Sequence, residues 1–225
     1  MKKIVIFLVL AALITGGAFA QMSIGGGAFL DMSFGNGFRY EENKNEIKLN
    51  TNNTSFGGFV FFDANYVEVD VNFAYGSLRS VLNGSGVTAN DGAGSMMQLG
   101  FSILGKYPIH LGSFTIFPLI GMNYNMVLSM KDKNGNKPDK VYGFDDKESS
   151  FMAEYSQFGL LGGIGLDVPF SNALFFRAEA LLNLRLANKS MKDMVDAWKK
   201  LSPNDNAKTT LGIGPRIKIG IGFRF

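Results

Sequence analysis

Apolar and polar residues alternate along several segments of the chain. In VEVDVNFAY, residues 67 to 75, the odd positions are apolar or aromatic and the even positions include Glu68, Asp70 and Asn72. The same period runs through LFFRAEALLNLRLA, residues 174 to 187, and RIKIGIGFRF, residues 216 to 225. A two-residue period predicts a β-strand with one face in an apolar medium. These segments reach the roughly 9 to 11 residues that a membrane-crossing strand needs.

Weaker alternation fills the intervals between these segments, and the sequence predicts eight strands in all. Their predicted bounds are 22 to 33, 55 to 63, 66 to 77, 95 to 107, 113 to 129, 151 to 168, 174 to 187 and 210 to 225. The second strand is apolar on both faces, so its register is open. The connections alternate between short (64 to 65, 108 to 113, 169 to 173) and long and polar (34 to 54, 78 to 94, 130 to 150, 188 to 209). This alternation predicts an antiparallel meander with both chain ends on the short-turn side.

The first 20 residues have the composition of an export signal. Met1, Lys2 and Lys3 precede an apolar run from 4 to 15, and the small residues of GGAFA end at Ala20. This pattern predicts a cleaved secretory signal at 1–20 and a single mature domain at 21–225. The alternative, an uncleaved anchor, would need a run of about 20 apolar residues.

Charge and cysteine content narrow the function of the mature domain. Without Lys2 and Lys3 the 22 basic residues fall to 20, against 19 acidic residues, so the formal charge is +1. Such a balance gives no support for nucleic-acid binding, which needs a clustered basic face. The chain has no cysteine, which excludes disulfides and thiolate metal sites.

The export signal, the eight alternating segments, the alternating connections and the final Phe225 together resemble the small eight-stranded outer-membrane β-barrels of bacteria, of the OmpA, OmpX and OmpW kind. The resemblance covers the whole mature chain and rests on architecture, without a family-specific motif. It implies an all-β, antiparallel up-and-down transmembrane barrel, monomeric in outer-membrane lipid. Short turns would face the periplasm and long loops the cell exterior. A soluble β-sandwich is the structural alternative.

The resemblance also implies a role for the last strand. In such barrels the assembly machinery reads alternating apolar residues that end in an aromatic residue. The matching residues here are Ile217, Ile219, Ile221, Phe223 and Phe225. Pro215, just before them, cannot donate a ladder hydrogen bond, so we expect a bulge or local irregularity there.

The predicted inward face carries as many acids as bases. An eight-stranded barrel has an interior only about wide enough for side chains. The inward charged residues are Asp31, Asp63, Glu68, Asp70, Lys106, Asp167, Arg177, Glu179, Arg185, Arg216, Lys218 and Arg224. Six of each sign predict a lumen filled by ion pairs. Asp31 and Arg216 are a predicted pair, because the first and last strands must meet at closure. Inward glycines such as Gly220 and Gly222 would leave room for long side chains.

We therefore expect a structural or surface-interaction protein that acts through its outer loops, with no identified extracellular ligand. The alternative is a narrow channel or transporter for small apolar solutes, as in the OmpW kind. It rests on apolar residues that also face inward in the predicted register: Phe59, Phe61, Phe117, Leu119 and Leu161. Packing in a narrow barrel is the preferred explanation of these residues.

An outer-membrane enzyme is the third hypothesis. The single histidine, His110, lies in a turn predicted to be periplasmic, so no catalytic residue is predicted. No cofactor or metal is predicted either. Asp145, Asp146 and Glu148 match no calcium-loop spacing, and the G-x-G of GGIGLD lacks a strand-to-helix context.

The last long connection predicts a helix. In SMKDMVDAWKKL the apolar residues at helical spacing are Met191, Met194, Val195, Trp198 and Leu201. Ser190 would cap the helix and Asp193 would lie in its first turn. The helix would pack over the barrel mouth or, alternatively, contact lipid headgroups or a partner.

Overall fold

The computed structural model describes residues 22–42, 45–84, 87–135, 155–201 and 206–225. Ten antiparallel strands form one sheet in this part of the chain. They are β1 (Met22–Glu42), β2 (Asn45–Ala64), β3 (Val67–Gly84), β4 (Val87–Lys106), β5 (Ile109–Leu111), β6 (Phe114–Lys131), β7 (Gln157–Pro169), β8 (Leu174–Arg185), β9 (Lys208–Thr210) and β10 (Gly212–Arg224). The predicted signal at 1–20 lies outside the described residues.

The sheet follows the order of the chain and closes on itself. Neighbouring long strands pair antiparallel, and β1 pairs with β2 on one side and with β10 on the other. The closing register runs from Ser23 opposite Arg224 to Asp31 opposite Arg216. The prediction of an all-β, antiparallel up-and-down fold is thus confirmed. Within the described residues, eight strands are 12 to 21 residues long, and β5 and β9 have three residues each.

Side chains alternate between the inside and the outside of the closed sheet. Along β10, Gly214, Arg216 and Lys218 are buried, whereas Ile217 and Ile219 between and beyond them are about half exposed, at 50% and 51%. Polar side chains therefore point inward and apolar side chains outward, the reverse of a soluble sheet. The open register of the second predicted strand is resolved, because Phe59 and Phe61 are buried on the inner face.

Two of the predicted long loops are wrong, because the strands continue through most of them. The β1–β2 ladder runs to Glu42 opposite Asn45, and the β3–β4 ladder runs to Gly84 opposite Val87. Apolar residues are fewer in these arms and do not keep a two-residue period over a membrane length, as with Leu78, Val81 and Leu82 of β3, so the alternation that identifies a strand is weak there. A register shift in β1 between Ser33 and Asn36 marks where the arm begins.

Other predicted bounds change at the ends of strands. The predicted turn at 108 to 113 contains β5, which forms a hairpin with β6 around Gly112 (φ 65°). The predicted strand at 151 to 168 begins at Gln157 in β7, and 151–154 lie outside the described residues. The last predicted strand divides at Leu211 into β9 and β10.

Of the bulge or local irregularity expected at Pro215, the structure has the irregularity and no bulge. Asp31 pairs with Arg216 and Phe34 with Ile213, so the register of β1 against β10 is the same on both sides of the proline. Between these two pairs the β1–β10 ladder is interrupted, whereas Pro215 keeps its place opposite Leu182 of β8. The missing N–H therefore interrupts one ladder locally without adding a residue to the strand.

The predicted helix is confirmed as α1 (Lys189–Leu201). It begins one residue before Ser190, so that residue is not the cap, and Asn188 holds the position before the helix. Val195 is buried against Tyr40 of β1 and Ala207. The side chains of Met191, Met194, Trp198 and Leu201 lie outside the described part of the structure. Among the described helices, none is long and apolar enough to cross a membrane.

Candidate functional site

The interior of the closed sheet contains all twelve charged residues of the predicted lumen set. Ten of them are buried, and Lys106 and Arg224, near the short-turn end, are partly buried. They come from seven of the eight long strands and reach the inner face through the two-residue period of each strand. Asp63, Glu68, Asp167, Arg177 and their neighbours lie near the short turns. The other charged residues lie farther from these turns, up to about halfway along the interior.

Arg177 of β8 contacts three carboxylates. Its Nε and Nη2 donate to Oδ1 and Oδ2 of Asp167 at 2.7 Å each, which is a bidentate pair. Its Nη1 donates to Glu68 Oε2 at 2.6 Å, and Nη2 also reaches Asp63 Oδ2 at 2.7 Å. A guanidinium can make such contacts on several sides because its five donors lie in one plane.

Lys218 of β10 forms a second centre. Its Nζ lies 2.9 Å from Glu68 Oε1, 3.1 Å from Asp70 Oδ2 and 2.8 Å from Glu179 Oε2. Glu68 accepts from Arg177 with one oxygen and from Lys218 with the other, so it joins the two centres. Buried charges of this kind are tolerated when they are paired and hydrogen-bonded.

Two further pairs lie at the short-turn end. Lys106 pairs with Asp63, and Arg224 lies 3.5 Å from Asp167. Both bases line a small pocket of about 30 Å³, together with His110 and Thr115. A pocket of that volume has room for only one or two water molecules.

The remaining centre lies where β1 meets β10. Arg216 donates to Asp31 Oδ2 through Nε at 2.8 Å and also through Nη2. Arg185 Nη2 lies 2.9 Å from Asp31 Oδ1. The structure therefore brings Asp31 and Arg216 together as expected for the closing strands, and it adds a second arginine.

Aromatic rings cover the buried bases, an arrangement that the sequence analysis missed. Phe61, Phe117 and Phe175 surround Arg177, with their ring centroids 4.4, 5.1 and 5.1 Å from its Cζ. Lys218 lies 4.6 Å from the ring of Phe59. Such cation–π contacts stabilise a desolvated cation by up to about 2 kcal/mol.

Inward glycines make room for two of these rings. A Cβ on Gly165 would lie 2.1 Å from the ring of Phe117, and one on Gly222 would lie 2.2 Å from that of Phe175. Each ring thus occupies the space that a side chain would fill if its partner on the neighbouring strand were not glycine. The expectation that inward glycines admit long side chains agrees with this packing.

The apolar residues of the alternative channel are also inside the closed sheet. Phe59 and Phe61 belong to one buried cluster with Phe29, Ala74 and Phe175. The other inward apolar residues form a second cluster: Leu104, Phe117, Leu119, Leu161 and Leu181. Both clusters are packed between the charged centres.

Above the charged centres, toward the long hairpins, neutral amides line the interior. The buried amide side chains of this region are Asn36, Asn53, Asn72, Gln98, Asn123, Asn125, Gln157 and Asn183. Several of them, such as Asn72, Gln98 and Asn123, alternate with outward apolar residues in the sequence, but an uncharged polar residue is a weaker sign of an inward position than a charged one.

His110 lies on the exposed β5–β6 hairpin. Its Nδ1 is 3.0 Å from Thr115 Oγ1, which is its directly opposite neighbour on β6. A contact between cross-strand neighbours follows from the hairpin itself, and the described contacts include no carboxylate that orients the imidazole. Among the described residues, no group of three or more His, Cys, Asp or Glu side chains could hold a metal ion. Asp145, Asp146 and Glu148 lie outside those residues.

The outer surface carries an apolar belt between two sets of aromatic residues. Tyr66, Tyr107, Phe170 and Phe225 are 56% to 65% exposed at the short-turn end. Phe34, Tyr75 and Phe158 lie toward the other end. Between these sets, no outward side chain of the described strands is charged. All five residues of the predicted assembly signal belong to this exposed surface: Ile217, Ile219, Ile221, Phe223 and Phe225.

Solved structures of outer-membrane proteins are similar to this chain. The outer membrane protein OprG from Pseudomonas aeruginosa matches at 15% identity over 92% of this chain and 96% of that one, with a TM-score of 0.50. Outer Membrane Protein W of E. coli matches at 11% identity over 89% and 98%, with a TM-score of 0.37. The Ail protein of Yersinia pestis matches at 13% identity over 92% and 99%, with a TM-score of 0.36.

No protein-family model matches the sequence, and no curated protein matches it. The likeness to OprG establishes the fold, which is that of the small outer-membrane β-barrels. The resemblance inferred from the alternating segments is thereby confirmed at the level of fold.

Proposed function

We propose that this chain is an integral bacterial outer-membrane protein whose eight long strands cross the bilayer and whose lumen is closed by ion pairs. The observation that carries the proposal is the inverted distribution of polarity. Six acids and six bases face the interior, and the belt outside is apolar and uncharged. A soluble sandwich would expose its polar face to water. Only a lipid environment favours the arrangement seen here.

The dimensions of the belt support the membrane assignment. Ile213 to Phe223 of β10 are ten residues apart, which is about 25 Å along the barrel axis at about 3.3 Å per residue and a tilt of about 40°. Apolar bands of outer-membrane barrels are about 25 Å tall and are flanked by aromatic girdles. By the rule for such barrels, the short turns face the periplasm, and the long hairpins and α1 face the cell exterior.

A closed lumen leaves the outer hairpins and α1 as the interacting parts, so the proposed role is structural or surface-binding. The charged centres and the two apolar clusters occupy the interior together. The inward phenylalanines and leucines therefore act as packing in this proposal, which disfavours the narrow path for apolar solutes. The proposal assigns no catalytic role, because the hydrogen-bond partner of His110 among the described residues is its hairpin neighbour, Thr115. We propose that the protein is a monomer and that its partner is the lipid of the outer membrane.

Planar-bilayer recording tests the closed lumen. The protein is folded first, and folding is verified by a gel mobility that changes on boiling. We expect no stable, large conductance. A stable, water-filled conductance would overturn the closed lumen, and recovery of the chain as a soluble periplasmic protein would overturn the membrane assignment.

The barrel-assembly machinery is a second proposed partner, through Phe225 and the alternating outward residues of β10. Phe225→Ala is expected to lower the amount of protein in the outer membrane, while protein refolded in detergent keeps the same unfolding midpoint. Equal outer-membrane levels of the variant and the parent would contradict this role.

A further inference from the structure

Most of the buried polar atoms that lack a hydrogen-bond partner lie in one patch of the upper interior. Of ten such side-chain atoms in the described residues, seven belong to this patch: Asp31 Oδ1, Asn36 Oδ1, Asn53 Nδ2 and Oδ1, Asn183 Oδ1, and Arg185 Nε and Nη2. All five residues are at most 5% exposed. Buried polar atoms are nearly always hydrogen-bonded, so a cluster of exceptions requires an explanation such as ordered water or a bound molecule.

The strand register brings these residues together. Asn53 pairs with Ser33 across β1 and β2, and Arg185 pairs with Gly212 across β8 and β10. A Cβ on Gly212 would lie 2.9 Å from Asn36 Cβ and 3.4 Å from Arg185 Cβ. Asn36 of β1 and Arg185 of β8 therefore flank Gly212 of β10, the strand between them.

Arg185 differs from the other two buried arginines. Arg177 uses its Nε and Nη2 together to hold Asp167, and Arg216 uses the same two nitrogens to hold Asp31. In Arg185, Nη2 forms an ion pair with Asp31 Oδ1 at 2.9 Å, whereas Nε has no hydrogen-bond partner among the described residues.

The local charge favours an anion. Asp31 is the one carboxylate that the described hydrogen bonds and ion pairs connect to Arg185 and Arg216, so two guanidinium groups share it. The Nε and Nη2 edge of a guanidinium matches the two oxygens of a carboxylate. Of the unpartnered amide atoms, Asn53 Nδ2 is the one that can donate to a carboxylate, whereas the unpartnered oxygens of Asn36, Asn53 and Asn183 are acceptors.

We propose that this patch binds a small carboxylate, held by Arg185 through Nε and Nη2 and contacted by the amide of Asn53. The pair of Asp31 and Arg216 forms the floor of the site. The site goes beyond the proposed closed-barrel function, because a carboxylate bound there leaves the charged centres and apolar clusters below it in place.

The test is a titration of the folded protein in detergent micelles with ¹³C-labelled acetate, followed by NMR at constant ionic strength. We expect saturable binding. Arg185→Gln should weaken it about tenfold or more, because it removes charge-assisted hydrogen bonds. Arg39→Gln, which changes an exposed arginine of the β1 arm, should bind like the parent.

Asn53→Leu provides a second variant, since it keeps every charge and removes both atoms of the amide; it too should bind acetate more weakly. Boiling-dependent gel mobility verifies that each variant is folded, and Asn53→Leu decides if Arg185→Gln does not fold. Absence of saturation, equal affinity in the folded variants, or displacement by equimolar chloride would overturn the carboxylate site. These outcomes leave the conductance test unaffected, so failure of this site is distinguishable from failure of the closed lumen.

Discussion

Arg177 is a single side chain that contacts three of the six buried carboxylates of the interior. The substitution Arg177→Met keeps an unbranched side chain at this position. It leaves Asp63, Glu68 and Asp167 with one cation fewer in a poorly solvated interior. Removing one partner of a buried ion pair destabilises a protein by about 3–5 kcal/mol. We expect a loss of that size in the free energy of unfolding, measured by urea titration of the refolded protein.

Arg79→Met is the matched control for this prediction. Arg79 is exposed on the outer arm of β3, and surface substitutions usually change stability by no more than about 0.5 kcal/mol. If the two variants unfold at the same urea concentration, Arg177 does not hold the network together.

The sequence predicts the side of the sheet on which each of these residues lies, but few of their partners. Inward placement follows from the two-residue period alone. Partners such as Arg177 and Glu68, which are 109 residues apart, meet across the interior. Their meeting depends on strand tilt and stagger, which a pattern along one strand does not contain. Asp31 and Arg216 are the exception, because the ends of a closed meander must be neighbours.

At the scale of elements, the membrane-length parts of the strands were predictable and their outer extensions were not. In the proposed membrane setting, lipid outside and polar groups inside impose alternation on each strand within the belt. The arms from Asn36 to Glu42 and from Asn45 to Thr51 contain more polar residues, and they are maintained by the ladder hydrogen bonds and by the packing of Tyr40 and Leu49. The helix α1 was predictable because its apolar residues keep the 3.6-residue period.

The attachment of α1 to the outer end of the sheet is expected to depend on Val195. Val195→Asp places a charge against Tyr40 and Ala207, which form the buried contact of the helix. A buried, unpaired charge is strongly unfavourable, so the helix should detach while the barrel stays folded. Faster trypsin cleavage after Lys199 and Lys200 would report the detachment, with unchanged boiling-dependent gel mobility.

Asp196→Asn is the control for the helix prediction, because Asp196 is an exposed neighbour on the same helix. Its cleavage rate should equal that of the parent. If Val195→Asp is cleaved no faster than this control, the contact with Tyr40 does not hold the helix in place.

For the whole molecule, closure of the sheet is what allows so much charge to be inside and so little outside. A sheet in lipid must leave no unpaired edge, because unsatisfied backbone groups there are very unfavourable. The β1–β10 ladder removes that edge and encloses the interior at the same time. The charged centres, the aromatic rings that cover the buried bases and the amide patch thus all depend on one strand pairing.

That pairing can be tested directly, because the chain has no cysteine of its own. Ala28 of β1 and Ile219 of β10 are direct partners on the outer face, and paired Cα atoms lie within about 5.5 Å, close enough for a disulfide. Oxidation of folded Ala28→Cys, Ile219→Cys protein should give an intramolecular crosslink, seen as a reducible change in the mobility of the boiled chain.

The control pair is Ala28→Cys with Ala178→Cys, since Ala178 is the partner of Ile219 on the next strand, β8. Two strand spacings of about 4.8 Å separate that pair, beyond the reach of a disulfide. Efficient crosslinking of the control, or none in the direct pair, would mean that β1 and β10 do not close the sheet in this register.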